Sequence, residues 1–315
     1  MPDLRWALTV PFSGIPLAAH GELFRRIEAA GYDDVWTSET AGYDGFTPLA
    51  LAAVHTERLR LATGVVNPFT RGPAVLAQHC AALADASGGR FVLGLGSSSN
   101  VIVERWNGVP FEKPLGRMRS AIEALRPVLA GGRGPGGFKL ETAPEAPVPI
   151  VVAALRGKML GLAAELGDGA FTNFLPLSGT RQVAEAFGAP EKELVCRFFC
   201  FPAPVDEALP AARRMLVAYA TVPVYTAFFR WLGWGERIDP VLEAWEDGDR
   251  RRAVELVPDD LVREVFLFGD AAAQRERLQA FAEGGITTFV LTPVCEPHEV
   301  ARFVDDLAPG RRELR

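Results

Sequence analysis

Histidine and cysteine are scarce in this chain, with four of each in 315 residues. Cys80, Cys196, Cys200 and Cys295 show no CxxC spacing, and the histidines are too few and too dispersed for a metal motif. No metal is expected. A chain of this length can bury a core without a disulfide framework, so the four cysteines read as reduced thiols. A basic surplus is missing too. The formal net charge is −6, which provides no field to gather nucleic acid or an anionic membrane surface. No apolar run reaches the length of a membrane span. The first residues lack the basic and apolar pattern of a secretory leader, so a cytoplasmic protein is expected.

What is present is ordinary globular material, 49% hydrophobic and 23% charged, enough for one large barrel or two small domains. Strand and helix signals alternate. Arg5–Phe12 reads as a strand, and His20–Ala30 as a helix stopped by Gly31. Asp33–Glu39 is a second strand, and Phe46–Arg58 a helix with Pro48 in its first turn. Leu59–Val66, Pro73–Ala86 and Arg90–Gly96 give strand, helix, strand, which is a parallel βαβ unit because a parallel pair needs a crossover. A helix over Arg117–Ala130 follows, then a Gly/Pro-rich break. Residues 132–149 read as an irregular insertion, since Ile150–Ala154, Gly157–Leu166 and Gly169–Phe174 resume the rhythm. Leu194–Phe201 is a seventh strand and Thr287–Val294 an eighth. Between them, residues 206–282 form a helical insertion rich in aromatics. The expected fold is an α/β (β/α)8 barrel, a single domain over 1–315.

Polar and small residues collect at one end of the predicted strands. Asn67, Thr70 and Arg71 follow strand three; Gly94, Gly96 and Ser97–Ser99 finish strand four; Glu39 ends strand two. In a parallel barrel the carboxyl ends of the strands form the ligand side.

TGVVNPFTR at Thr63–Arg71, followed by SGGRFVLGLGSSS at Ser87–Ser99, resembles the luciferase-like monooxygenase superfamily, in particular its branch of coenzyme F420-dependent oxidoreductases. The resemblance implies a TIM barrel and a non-prolyl cis peptide at Gly64–Val65, whose bulge backs the central ring of a flavin or deazaflavin. It implies further that Asn67 meets the ring's polar edge, that Ser97 and Ser98 touch the cofactor, and that Leu155, Arg156, Lys158 and Met159 hold its phosphate tail. Backbone N–H groups of a first helical turn favour a phosphate on general grounds. The family's counterpart of Glu39 contacts the deazaflavin, and the next residue is commonly a proton-donating histidine. Here that catalytic position is Thr40, which does no acid–base work near neutral pH. Either Glu39 transfers the proton or water or substrate supplies it; the competing reading of Glu39 is a helix-capping or salt-bridged carboxylate. Ser99 stands where sugar-phosphate-oxidising relatives carry a catalytic glutamate, which argues against that substrate class.

The resemblance makes the 206–282 insertion a cap over the site, with Tyr225 and Phe229, and Trp106 from VERWNGVPF, as candidate substrate contacts. The competing reading is that such aromatics only pack extra helices onto the barrel. The expected activity is hydride transfer between C5 of F420 and a small organic substrate. The alternatives are an FMN-dependent monooxygenase using reduced flavin and O2, and a cofactor-free degenerate barrel with a binding role. A homodimer is implied, pairing through the helices that follow strands two and three.

Overall fold

The computed structural model describes residues 4–309. Nine strands form: β1 (Arg5–Val10), β2 (Asp34–Thr37), β3 (Arg60–Thr63), β4 (Phe91–Leu95), β5 (Ile150–Ala153), β6 (Gly169–Asn173), β7 (Glu193–Phe201), β8 (Leu267–Phe268) and β9 (Thr288–Pro293). β1 to β7 pair in parallel with their chain neighbours, and β9 closes the ring between β7 and β1. The result is the expected eight-stranded parallel barrel. β8 is a two-residue addition to the end of β7, pairing at Cys200 and Phe201.

Helices α1 (His20–Ala30), α2 (Thr47–His55), α3 (Pro73–Ala86), α4 (Pro114–Leu129), α5 (Gly157–Leu166) and α6 (Thr180–Phe187) cross over between the first seven strands. Their ends follow local chemistry. α1 stops at Gly31, whose φ of 90° suits glycine alone, and α3 opens on Pro73, where no intrahelical N–H is needed.

The helical stretch after β7 divides in two. α7 (Val205–Ala220), α8 (Pro223–Trp231), α9 (Gly235–Glu246), α10 (Arg250–Glu255) and α11 (Asp259–Val265) share an apolar cluster of their own, joined by Phe174, Phe201 and Phe266. α12 (Ala271–Glu283) instead buries Leu278 and Phe281 in the cluster under the barrel's outer face. It is the ordinary crossover helix before β9, so the extra helices end near residue 265 and not at 282. Asp270 caps α12 by accepting a hydrogen bond from the Ala273 N–H at 2.9 Å. A last helix, α13 (Val300–Asp306), packs beside α1. No described helix is long and apolar enough to cross a membrane.

The two-residue alternation of strands sorts the barrel interior into layers. The middle layer takes one residue from each of the eight strands: Ala7, Trp36, Ala62, Val92, Val151, Phe171, Val195 and Val290. Trp36 and Phe171 fill most of it, their rings 5.2 Å apart. Below lies a charged layer. Asp34, with no exposed surface, accepts from Arg5 and from Arg60 at 2.7 Å each. Arg60 also donates to Glu193 at 3.0 Å, across the barrel. The barrel is thus plugged at its amino end, which leaves the carboxyl end of the strands as the side for a ligand.

Candidate active site

The third layer floors the open end. On the β3–β5 side its residues are Gly64, Gly94, Gly96 and Ala153; on the β6–β1 side they are Asn173, Arg197, Thr292 and Thr9. One half is small and the other is polar.

The small half is shaped by an irregularity in β3. Regular pairing with β4 runs to Ala62 opposite Val92 and resumes only at Val66 opposite Leu95, so β3 carries one extra residue, a bulge. The Gly64–Val65 peptide is cis, as the resemblance implied. Thr63 takes over the missing ladder bonds: its hydroxyl donates to the Gly94 carbonyl and accepts from the Gly94 N–H, both at 2.8 Å. The bulge leaves no room for side chains beside it. A Cβ at Gly94 would stand 1.7 Å from the Thr63 carbonyl oxygen, and one at Gly96 would stand 2.5 Å from a Val65 methyl. Glycines therefore cluster here because the bulge needs them. With Gly64, Gly94 and Gly96 buried and Val65 half-buried on top of the middle layer, the outcome is an apolar ledge presented by Val65.

Around the ledge the candidate residues fall as follows. Glu39 lies past the end of β2, which stops at Thr37. Both its oxygens accept from the Arg71 guanidinium, at 2.6 and 2.7 Å, and one also accepts from the Gly45 N–H at 2.9 Å. The salt-bridged reading holds. The carboxylate is an acceptor engaged on both oxygens. Its neighbour Thr40 is exposed. Asn67 turns its side-chain oxygen back on its own loop, accepting from the Phe69 and Thr70 N–H groups at 3.1 and 3.0 Å. Its amide nitrogen donates to no other described residue, so only that half is available to a ligand.

Ser97 and Ser98 lie half-buried at the end of β4, Ser98 in the left-handed region with φ 64°. Arg156 and Gly157 open α5, with Lys158 in the first turn; no acidic residue or side-chain cap occupies that end. Arg156 and Lys158 are exposed and pair with no carboxylate among the described residues, while Leu155 and Met159 are half-buried beside them. These features leave the first-turn N–H groups and two cations free for an anion.

Trp106 ends a π-helical turn over Val101–Trp106 and is 56% exposed. Tyr225, on α8, accepts a hydrogen bond from the Asn173 amide at 3.0 Å. Phe229 is fully buried within the extra helices and shapes the site only through its neighbours. Two participants were missed from sequence: Asn173 and Arg197. Their signal was present, since Glu193, Val195 and Arg197 share the inward parity of one strand, but a lone arginine among apolar residues does not announce that.

A closed parallel barrel with a bulged third strand and an anion-ready helix start defines a class of cofactor-binding barrel. The chain belongs to the luciferase-like monooxygenases, whose family model matches residues 7–288. It is 29% identical, over 88% of this chain and 91% of the other, to a putative coenzyme F420-dependent oxidoreductase of Mycobacterium tuberculosis. Its fold matches the F420-dependent tetrahydromethanopterin reductase of Methanopyrus kandleri, with TM-score 0.78, 20% identity and 98% of each chain covered. It also matches the oxygenating constituent of 3,6-diketocamphane monooxygenase from Pseudomonas putida, solved in complex with FMN. There the TM-score is 0.66 and the identity 17%, with 98% of this chain and 99% of the other covered.

Proposed function

We propose that this chain is an F420-dependent oxidoreductase that passes a hydride between C5 of the deazaflavin and a carbon of a small organic substrate. The observation that carries the reading is the β3 bulge, where Gly64, Gly94 and Gly96 pack too tightly to admit a Cβ and Val65 is the partly exposed residue of the ledge. A planar ring system is the ligand that such a surface accommodates. Support for F420 in particular comes from the relative that is similar along most of this chain and is described as F420-dependent.

The bound deazaflavin would supply a ring carbon that gives or takes a hydride. The chain's own residues bind, orient and exclude water. Val65 and the bulge back the ring, and the Asn67 amide nitrogen donates to its polar edge. Ser97 and Ser98 meet it from β4. The first turn of α5, with Leu155, Arg156, Lys158 and Met159, takes the phosphate. Glu39 acts by holding Arg71 and the Gly45 backbone in place. Thr40 moves no proton, so the proton comes from water or substrate. The extra helices, with Tyr225, roof the polar half, and Trp106 stands at the rim.

Fluorescence titration with F420 and FMN in parallel tests this. F420 is expected to bind more tightly, and FMN binding without F420 binding would refute the assignment. The FMN-dependent monooxygenase is the second reading, compatible with the cationic start of α5, which suits either cofactor's phosphate, and supported by the fold match to an oxygenase solved with FMN. It predicts oxygen consumption coupled to reduced FMN. Failure to bind either cofactor would point to the binding barrel.

The finer organisation is read the same way: one domain across 1–315, whose extreme termini lie outside the described residues, with 132–149 and the extra helices as insertions, acting in the cytoplasm. The proposed homodimer uses α2 and α3, which expose Val54 (72%) and Val75 (44%). Sedimentation is expected to show a dimer, and the double variant Val54→Asp, Val75→Asp is expected to shift it to monomer, because like charges would then face each other across the two-fold contact.

A further inference from the structure

We propose that Arg197, Asn173 and Tyr225 form an anion-binding subsite that anchors a carboxylate carried by the substrate. It rests on the placement of the cofactor over the small half of the floor, which leaves the β6–β7 half to the substrate.

Asn173 and Arg197 are register partners on β6 and β7. The Arg197 Nε lies 3.4 Å from the Asn173 side-chain oxygen, and that oxygen also accepts from the Phe174 N–H at 3.1 Å. The Asn173 amide nitrogen donates to the Tyr225 hydroxyl oxygen at 3.0 Å. Asn173 is therefore spent as a brace that fixes its two neighbours. What remains unused is all donor: the terminal nitrogens of Arg197 and the phenolic O–H of Tyr225. Neither finds an acceptor among the described residues, and Arg197 has no carboxylate partner there. Burial pushes the Tyr225 phenol up to about 12, so it stays protonated and able to donate.

The guanidinium is half-buried and lies over the face of Phe199, 5.4 Å from the ring centre. That contact holds the guanidinium against an apolar ring, and its fork of parallel N–H donors suits a planar anion. Other interior cations of this barrel are matched: Arg5 and Arg60 by Asp34, and Arg60 also by Glu193. Arg197 alone in these layers has its charge unanswered, among the described residues. Phe174, Phe199 and Tyr219 beside it form an aromatic wall, which favours a carboxylate on an apolar or aromatic body.

The test is calorimetric titration of benzoate and of its neutral counterpart benzamide, with and without F420, on the wild type and on Arg197→Met, Arg197→Lys and Tyr225→Phe. Circular dichroism checks that each variant is folded. The wild type is expected to prefer benzoate by about tenfold or more, the scale of a charge-assisted pair. Arg197→Met is expected to erase that preference, Arg197→Lys to keep part of it and Tyr225→Phe to reduce it, all with F420 affinity unchanged. Benzoate binding no tighter than benzamide in the wild type, including no binding of either, overturns the subsite. So does a preference that survives Arg197→Met. If Arg197→Met loses F420 while keeping benzoate, the guanidinium serves the cofactor and the proposal falls. A wild type that ignores F420 but shows the Arg197-dependent benzoate preference removes the cofactor reading and retains the subsite.

Discussion

Replacing Asp34 with alanine is expected to cost the fold about 3–5 kcal/mol, the usual penalty for stripping one member from a buried ionic network. Asp34 has no exposed surface and answers two arginines at once, Arg5 from β1 and Arg60 from β3. Without it Arg5 loses its partner, and Arg60 leans on Glu193 alone. Burial by itself would favour the neutral acid, but Arg60 and Arg5 outweigh it and hold the Asp34 carboxyl below the usual carboxylate range. The sign of the pH effect follows. A carboxyl held low in the folded state contributes stability that is fully present above its unfolded value, near pH 4, and is lost as pH falls through the folded value. Urea midpoints at pH 7 and pH 3 check both points. Asp34→Asn is expected to be less stable than the wild type at pH 7 and to lose less on acidification. Equal midpoints at pH 7 would show that the network contributes nothing.

Gly94→Ala is the second large effect, expected at about 3 kcal/mol or more from overpacking and two lost hydrogen bonds. The new methyl would fall 1.7 Å from the Thr63 carbonyl oxygen, a backbone atom that no rotamer change can move aside. β4 must then draw away from β3, and the paired bonds between the Thr63 hydroxyl and Gly94 are the first to be lost. Because the same contact levels the ledge, a folded Gly94→Ala protein is also expected to bind F420 more weakly than the wild type. Gly42→Ala is the control, since nothing lies within 4 Å of the position; it is expected to stay within about 0.5 kcal/mol of the wild type. Chemical unfolding and cofactor titration on the two variants separate these outcomes, and a Gly94→Ala protein as stable as Gly42→Ala would contradict the steric account.

The barrel was largely legible because its signals are local. Period-two apolar strands, helices ended by glycine and opened by proline, and the Asn-Pro break after strand three each lie within a few residues. The βαβ stretch at Leu59–Ser99 took its expected course, though β3 ends at Thr63 and not at Val66, because the bulge diverts the chain before the apolar run is exhausted. β8 escaped notice, since two residues carry no periodicity. The end of the insertion was misplaced because α12 continues the helical pattern without a change of composition; only its packing on the barrel tells it apart. The site was legible where the family motif is contiguous and illegible where partners are distant. Glu39 and Arg71 were each visible, but their pairing spans 32 residues. Arg197 needed the inward parity of β7, which becomes apparent only when Glu193 is seen reaching across to Arg60.

The extra helices bury many apolar side chains against one another, but α8 is shared: Phe228 lies in the barrel's outer cluster with Tyr225, Trp231 and Leu232 packed against it, while Phe229 lies in the helices' own. Substitutions in α8 should therefore couple to substitutions in the barrel residues it packs on, whereas those far from the shared clusters should add nearly independently. α8 is thus the seam that rivets the extra helices to the barrel. A graft that exchanged these helices would have to bring α8 and its barrel contacts along as one piece, or leave a hole where Phe228 now sits.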